Sequence, residues 1–201
     1  MLIVESQYLP PLSSIKILLH HTHIGFPVYE KFRKMSFQNR CMIPTANGVT
    51  TLSVPLAGGR DNARPLGEVR IDHSQRWQMR HWRTITSAYN RSPFFEFYEP
   101  SLRQLFETRF ELLHDWNKAL IDWLAKQMGI RLEMEDRAIQ GEYPATGSVL
   151  PRNYQDPAII ADLPEYQQVF MDRLGFIPNM SCLDLLCCTG KKSAGHLGLM
   201  L

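Results

Sequence analysis

The stretch from Leu2 to Phe26 constrains the fold most, because it reads as strand, helix and strand in succession. Leu2 to Glu5 is a short apolar run, and Gln7-Tyr8-Leu9-Pro10-Pro11 is a rigid loop whose prolines cannot continue a ladder. Ser13 or Ser14 offers a cap for a helix through about His20, with Ile15, Leu18 and Leu19 at helical spacing. His23-Ile24-Gly25-Phe26 reads as a second strand. Strands joined through a helix pair in parallel by a crossover, which directs the chain toward an α/β fold.

A hairpin follows. Cys41 to Pro44 and Val49 to Pro55 flank Thr45-Ala46-Asn47-Gly48, and Asn-Gly between strand-like runs marks a tight turn because both residues tolerate positive φ. Leu56 to Pro65, with Gly58-Gly59-Arg60-Asp61-Asn62, is a polar connector too irregular to cradle a phosphate, and Gly67 to Ile71 reads as another strand. Arg76 to Arg91 then forms an amphipathic helix. Trp77, Trp82, Ile85, Ala88 and Tyr89 share one arc with His81, while Arg80, Arg83 and Ser87 fall on the other. Pro93 stops it, and Phe94 to Phe106 begins another. Leu112, Leu113, Trp116, Leu120, Trp123 and Leu124 mark a core helix to Met128, with Gly129 as its C′ residue. Residues 131–164 read as a loop or lid with short strands, Ser181 to Cys188 as a capped apolar helix, and the tail 191–201 as frayed. The expectation is one α/β domain, with a mixed sheet from the N-terminal half and packing helices. An α+β arrangement is the alternative.

A net charge of +2 over 201 residues is too mild for a nucleic-acid groove, so Arg76, Arg80, Arg83 and Arg91 make only a weak case for such a partner. No run approaches the roughly 20 apolar residues of a membrane span, and the start lacks a basic n-region, which points to a cytoplasmic protein. Cys41, Cys182, Cys187 and Cys188 show no paired C-x-x-C spacing and read as buried thiols. His20, His21 and His23 diverge in direction, so no metal is expected. Nothing in the sequence names a cofactor or an oligomeric state.

His81 is the first candidate for chemistry: a titratable ring on an apolar face either satisfies its nitrogens internally or lines a cavity. Asn39-Arg40 at the hairpin entrance offers an amide and a planar guanidinium to one ligand, or else a turn closure with a solvated flank. Glu30, among Lys31, Arg33 and Lys34, is a general base or a surface partner. Asn117 lies near the apolar face of the core helix and needs partners. Asp184 is a buried carboxylate, or one placed by the dipole at a helix start.

In order, Gln7-Tyr8-Leu9-Pro10-Pro11, Ser36-Phe37-Gln38-Asn39-Arg40-Cys41, Asn47-Gly48 and Leu52-Ser53-Val54-Pro55 resemble the blocks of the WbqC-like protein family. Trp77, Arg80-His81-Trp82, Ser87-Ala88-Tyr89-Asn90, Pro93-Phe94-Phe95-Glu96, Asn117, Tyr166, Gln168-Val169-Phe170 and Pro178 to Leu186 continue the resemblance. It implies a role in bacterial cell-surface polysaccharide, including O-antigen, precursor modification. The expected activity is a transferase placing an acyl or aminoacyl group on a nucleotide-linked amino sugar. The rival is a non-catalytic binding or assembly protein. Carried over, the pattern singles out Glu30, Asn39, Arg40, His81, Tyr89, Asn117 and Asp184, without fixing their roles. The expectation assigns His81, Glu30 and Asp184 to catalysis and Asn39, Arg40, Arg80, Tyr89 and Asn117 to a sugar precursor, with His81 and Arg40 meeting in one pocket. Cys188-Thr189 departs from it, standing where an asparagine and an apolar residue are expected before Gly190.

Overall fold

A computed structural model describes residues 1–58, 64–138 and 150–199. The opening is built as the sequence predicts: β1 (Leu2–Ile3), α1 (Leu12–Leu19) and β2 (His23–Pro27), with β1 and β2 parallel. α1 is not capped by its own serines. Pro11 stands at its N-cap, and the Ser13 amide donates instead to Asn179 Oδ1 at 2.9 Å, a partner far along the chain. The third parallel strand is β5 (Glu133–Arg137), which pairs with the other side of β2 and comes from the stretch read as a loop or lid with short strands, none of them placed. Its sequence, Glu-Met-Glu-Asp-Arg, has too few apolar residues to announce a strand. Residues 139–149 of the expected lid, 59–63 of the connector and 200–201 of the tail lie outside the described residues.

The hairpin of β3 (Arg40–Thr45) and β4 (Gly48–Ser53) forms a separate antiparallel ladder. Strands of both senses are therefore present with helices on an α/β plan, the parallel and antiparallel pairings lying in different ladders. At the turn only Gly48 takes positive φ, +104°; Asn47 does not. The Thr45 hydroxyl donates to the Gly48 carbonyl (2.8 Å) and locks the corner. The strand expected at Gly67 to Ile71 is absent. Leu66–Glu68 is a 3-10 turn, and Arg70 and Ile71 make isolated bridges to Leu112 and Leu56, because the Gly67 amide donates to Val28 and too few residues remain for a ladder.

Four helices complete the core: α2 (Trp77–Tyr89), α3 (Phe95–Glu107), α4 (Leu113–Gln127) and, after the short α5 (Pro157–Ile160) and α6 (Met171–Leu174), α7 (Cys182–Thr189). Ser181 caps α7 through Leu183 N, as its spacing predicts. Trp77, Tyr8 and Trp116 are fully enclosed, each contributing about 2–3 kcal/mol of burial. Over residues 191–199 the tail is packed rather than frayed. α8 (Ser193–His196) turns back so that Ala194, Leu197 and Leu199 join the core, since apolar side chains at the chain end find a face left open by α7.

Two of the glycines with positive φ differ in what surrounds them. Gly190 ends α7 at φ +62°, and a Cβ there would come within 2.6–2.8 Å of the Phe94 ring; Gly48 has open space around it. Gly190→Ala is therefore expected to lose about 2–3 kcal/mol, from backbone strain plus ring displacement, and Gly48→Ala only about 1 kcal/mol. Urea unfolding of both variants measures the difference, and equal losses would contradict the Phe94 contact.

Candidate binding site

The amphipathic pattern of α2 decides what its outer face can do. With Trp77, His81, Ile85, Ala88 and Tyr89 turned to the core, Arg83 and Ser87 form an i, i+4 pair on the other side, and Arg91 follows in the turn just past the helix end. These residues meet the hairpin turn. A cleft of about 600 Å³ opens between them, walled by Thr45, Ala46, Asn47 and Thr50 from the hairpin, by Arg83, Thr84, Ser87, Ala88, Asn90 and Arg91, and by Val169 and Phe170. It holds two guanidiniums and no carboxylate. Arg83 and Arg91 make no ion pair among the described residues, so their charge is free to meet an anion. A second cleft of about 510 Å³ shares Ala46, Arg91, Val169 and Phe170 with the first, which makes the two compartments of one groove.

A third cleft, of about 450 Å³ around Trp82 and Phe106, carries Arg76, Arg103 and Arg109. Two of these are already spent, Arg103 on Glu107 and Arg109 on Glu111, each at 2.8 Å. The groove beside the hairpin is the better candidate for an anionic ligand.

Beneath the groove lies Asp184, fully enclosed on α7. Its Oδ2 accepts from the Tyr166 hydroxyl (2.6 Å) and from Gln168 Nε2 (2.8 Å). Gln168 also donates to the Ile177 carbonyl and accepts from the Ile177 amide, so one buried side chain fixes both ends of the strap 166–177 that presents Phe170. The Tyr89 hydroxyl faces the same carboxylate and stabilises its charge, yet it and Asp184 Oδ1 lack a hydrogen bond of full geometry. Burial outweighs these donors and raises the Asp184 pKa to about 6. Tyr89 and Asp184, read separately from the sequence, are thus brought together.

The other candidates are distributed elsewhere. His81 is nearly enclosed: its Nδ1 hydrogen-bonds the Tyr8 hydroxyl at 2.9 Å, and its ring also bonds the Ser53 backbone. Burial, with the Arg80 charge next, lowers its pKa to about 4, so the ring is neutral at pH 7. Arg40 is half-buried on the hairpin rung opposite Ser53, with Nε unpartnered. The two therefore meet the same rung, but neither lines either compartment of the groove. Asn39 closes the strand end by donating to Val54 O (2.9 Å). Asn117 ties Ser6 O and Gln38 O together from α4. Arg80 is exposed and donates to Gln75 (2.6 Å). Glu30 lies beyond β2, where its charge raises the pKa of Glu5; burial is the larger cause of that rise.

One arrangement escaped the sequence entirely. His114 on α4 takes the Ser6 hydroxyl at Nδ1 (3.0 Å) and meets Asp136 Oδ1 through Nε2 (2.9 Å), while Lys118 Nζ reaches the same oxygen at 2.8 Å. Because a carboxylate only accepts, Nε2 is the donor, and Nδ1 of the neutral tautomer accepts from Ser6. The chain has the order of a nucleophile, base and orienting acid, but Ser6 has no exposed surface. It is a strut joining β1, α4 and β5. Its signal was unreadable because nothing in the sequence placed a strand at Glu133 to Arg137 or paired it with β2.

The family model of the WbqC-like proteins matches residues 6–147, well over half of the chain. The chain belongs to the WbqC-like protein family. The match takes in the hairpin and all of α2 to α4, whereas the strap 166–177 and Asp184 lie beyond it. No curated protein and no solved structure matches the chain. Among the described residues no helix is long and apolar enough to cross a membrane, and no three His, Cys, Asp or Glu side chains converge as metal ligands.

The Asp184 shift has a measurable sign. Its folded pKa, about 6, lies above the ordinary 3.8, so the folded state binds the proton more tightly and stability rises as pH falls from about 7 to 4. Asp184→Asn, neutral throughout, is expected to equal the parent near pH 4 and to exceed it by about 2–3 kcal/mol at pH 7. Denaturant titrations at both values test this. A variant less stable at pH 7 would show that the ionised carboxylate is well satisfied.

Proposed function

We propose that this WbqC-like protein acts on a nucleotide-linked sugar destined for a bacterial cell-surface polysaccharide, bound in the groove between the hairpin turn and α2, in the cytoplasm. One observation carries the reading: the first compartment combines two unpaired guanidiniums with amides and hydroxyls and has no carboxylate. Such a lining suits a diphosphate attached to a hydroxyl-rich ring. Guanidiniums take the phosphate oxygens in a fork, and Asn47, Asn90, Thr45 and Thr50 offer donors and acceptors to sugar hydroxyls. A volume of about 600 Å³ is adequate for a ligand of that size.

Two activities compete within this reading. Group transfer, of an acyl or aminoacyl unit to an amino sugar, is supported by the second compartment beside the first. Holding the precursor for another enzyme is supported by His81, whose neutral ring is engaged by Tyr8 and Ser53 and is withdrawn from the groove.

Isothermal titration with a panel of nucleotide-linked amino sugars tests the site. Arg83→Ala and Arg91→Ala are each expected to weaken binding by about tenfold or more, the loss of one charge-assisted contact. His81→Ala, if it remains folded, acts through stability alone. No binding by any member of the panel would overturn the proposal. Binding that is abolished by Arg40→Ala yet indifferent to Arg83 and Arg91 would move the site to the other end of the hairpin.

A further inference from the structure

The two compartments differ in charge, and that difference specifies a second ligand. The first is purely cationic. In the second, Asp172 and Arg173 from α6 stand beside the shared Arg91, and Pro93, Val169 and Phe170 supply apolar surface. Adjacent residues of a helical turn point about 100° apart, and no ion pair joins Asp172 to Arg173. Both are exposed, and both line the same space of about 510 Å³. A purely anionic ligand would be repelled by Asp172, and a purely cationic one by two arginines.

We propose that the second compartment binds a small zwitterion of the α-amino-acid type. Its carboxylate lies against Arg173, its ammonium against Asp172, and its side chain covers Val169, Phe170 and Pro93. Arg91 stands in the wall between this ligand and the one in the first compartment, so the two bind in contact with a common cation. The identity of the neighbouring ligand rests on the function proposed above, but occupancy of the second compartment does not. The strap that carries Phe170, Asp172 and Arg173 is held from below by Gln168 and Asp184, which keeps this face in place before a ligand arrives.

Titration of the full chain with L-leucine, isovalerate and isoamylamine separates the charges. L-leucine is expected to bind about tenfold more tightly than either single-charge analogue, and Asp172→Asn or Arg173→Gln to remove that advantage. Both variants should bind the nucleotide-linked sugar as the parent does, while Arg91→Ala weakens both ligands. Equal binding of isovalerate and L-leucine would overturn the zwitterion and leave a simple anion site. Failure of all three while the nucleotide-linked sugar binds would refute the second compartment alone. L-leucine binding without the sugar would refute only the function proposed above.

Discussion

The ring of Tyr8 holds the molecule together. It has no exposed surface, it stacks beside His81 with centroids 5.7 Å apart, and its hydroxyl bonds the imidazole. Trp116 lies tilted beside it at 6.1 Å, and Trp77 closes edge-on to both His81 (5.2 Å) and Trp116 (5.8 Å). Four rings thus bring together the segment after β1, α2 and α4, while the Tyr8 amide donates to Phe37 O and ties in the hairpin's approach. A buried hydroxyl and imidazole that satisfy each other also specify orientation, because rotation of α2 would leave both unpaired.

The groove is a consequence of that orientation. With His81 facing inward, Arg83 and Ser87 lie on the outer face of α2; they line the cleft beside the hairpin turn with Arg91 from the turn that follows, and neither arginine finds a carboxylate there. Below it, Asp184 is a carboxylate kept out of water with one oxygen unpartnered, against the tendency of burial to neutralise it. Its donors Tyr166 and Gln168 hold the strap that forms the far wall. The imidazole is engaged within the core, and the solvent-facing guanidiniums of Arg83 and Arg91 are the groups left without an ion-pair partner among the described residues, which reverses the weight their residue types carry in the sequence.

Local elements were legible where short-range chemistry fixes them. The crossover, the hairpin, the buried face of α2 and the cap at Ser181 each depend on residues close in the chain. β5 was not legible, since Glu133 to Arg137 becomes a strand only because the edge of β2 is available to it. The strand expected at Gly67 to Ile71 failed for the converse reason, that its neighbours bind it as a turn and two bridges. The packed tail belongs with these, as Leu197 and Leu199 are buried by a surface far from them in sequence. Among the site residues, Tyr89 and Asp184 were named one by one but not as a pair, whereas His81 and Arg40, expected to share one pocket, meet at a hairpin rung outside the groove.

By itself the sequence determined the family, the alternation of strands and helices, and which face of α2 turns inward, because hydrophobic period and turn chemistry act over a few residues. The tertiary structure alone decided that His81 is neutral and engaged, that Asn39 and Asn117 are spent on backbone carbonyls, and that Arg83, Arg91 and Arg173 share one groove. Burial, desolvation and the convergence of charges depend on contacts between segments up to a hundred residues or more apart, such as Asn117 with Ser6, and spacing along the chain does not encode them.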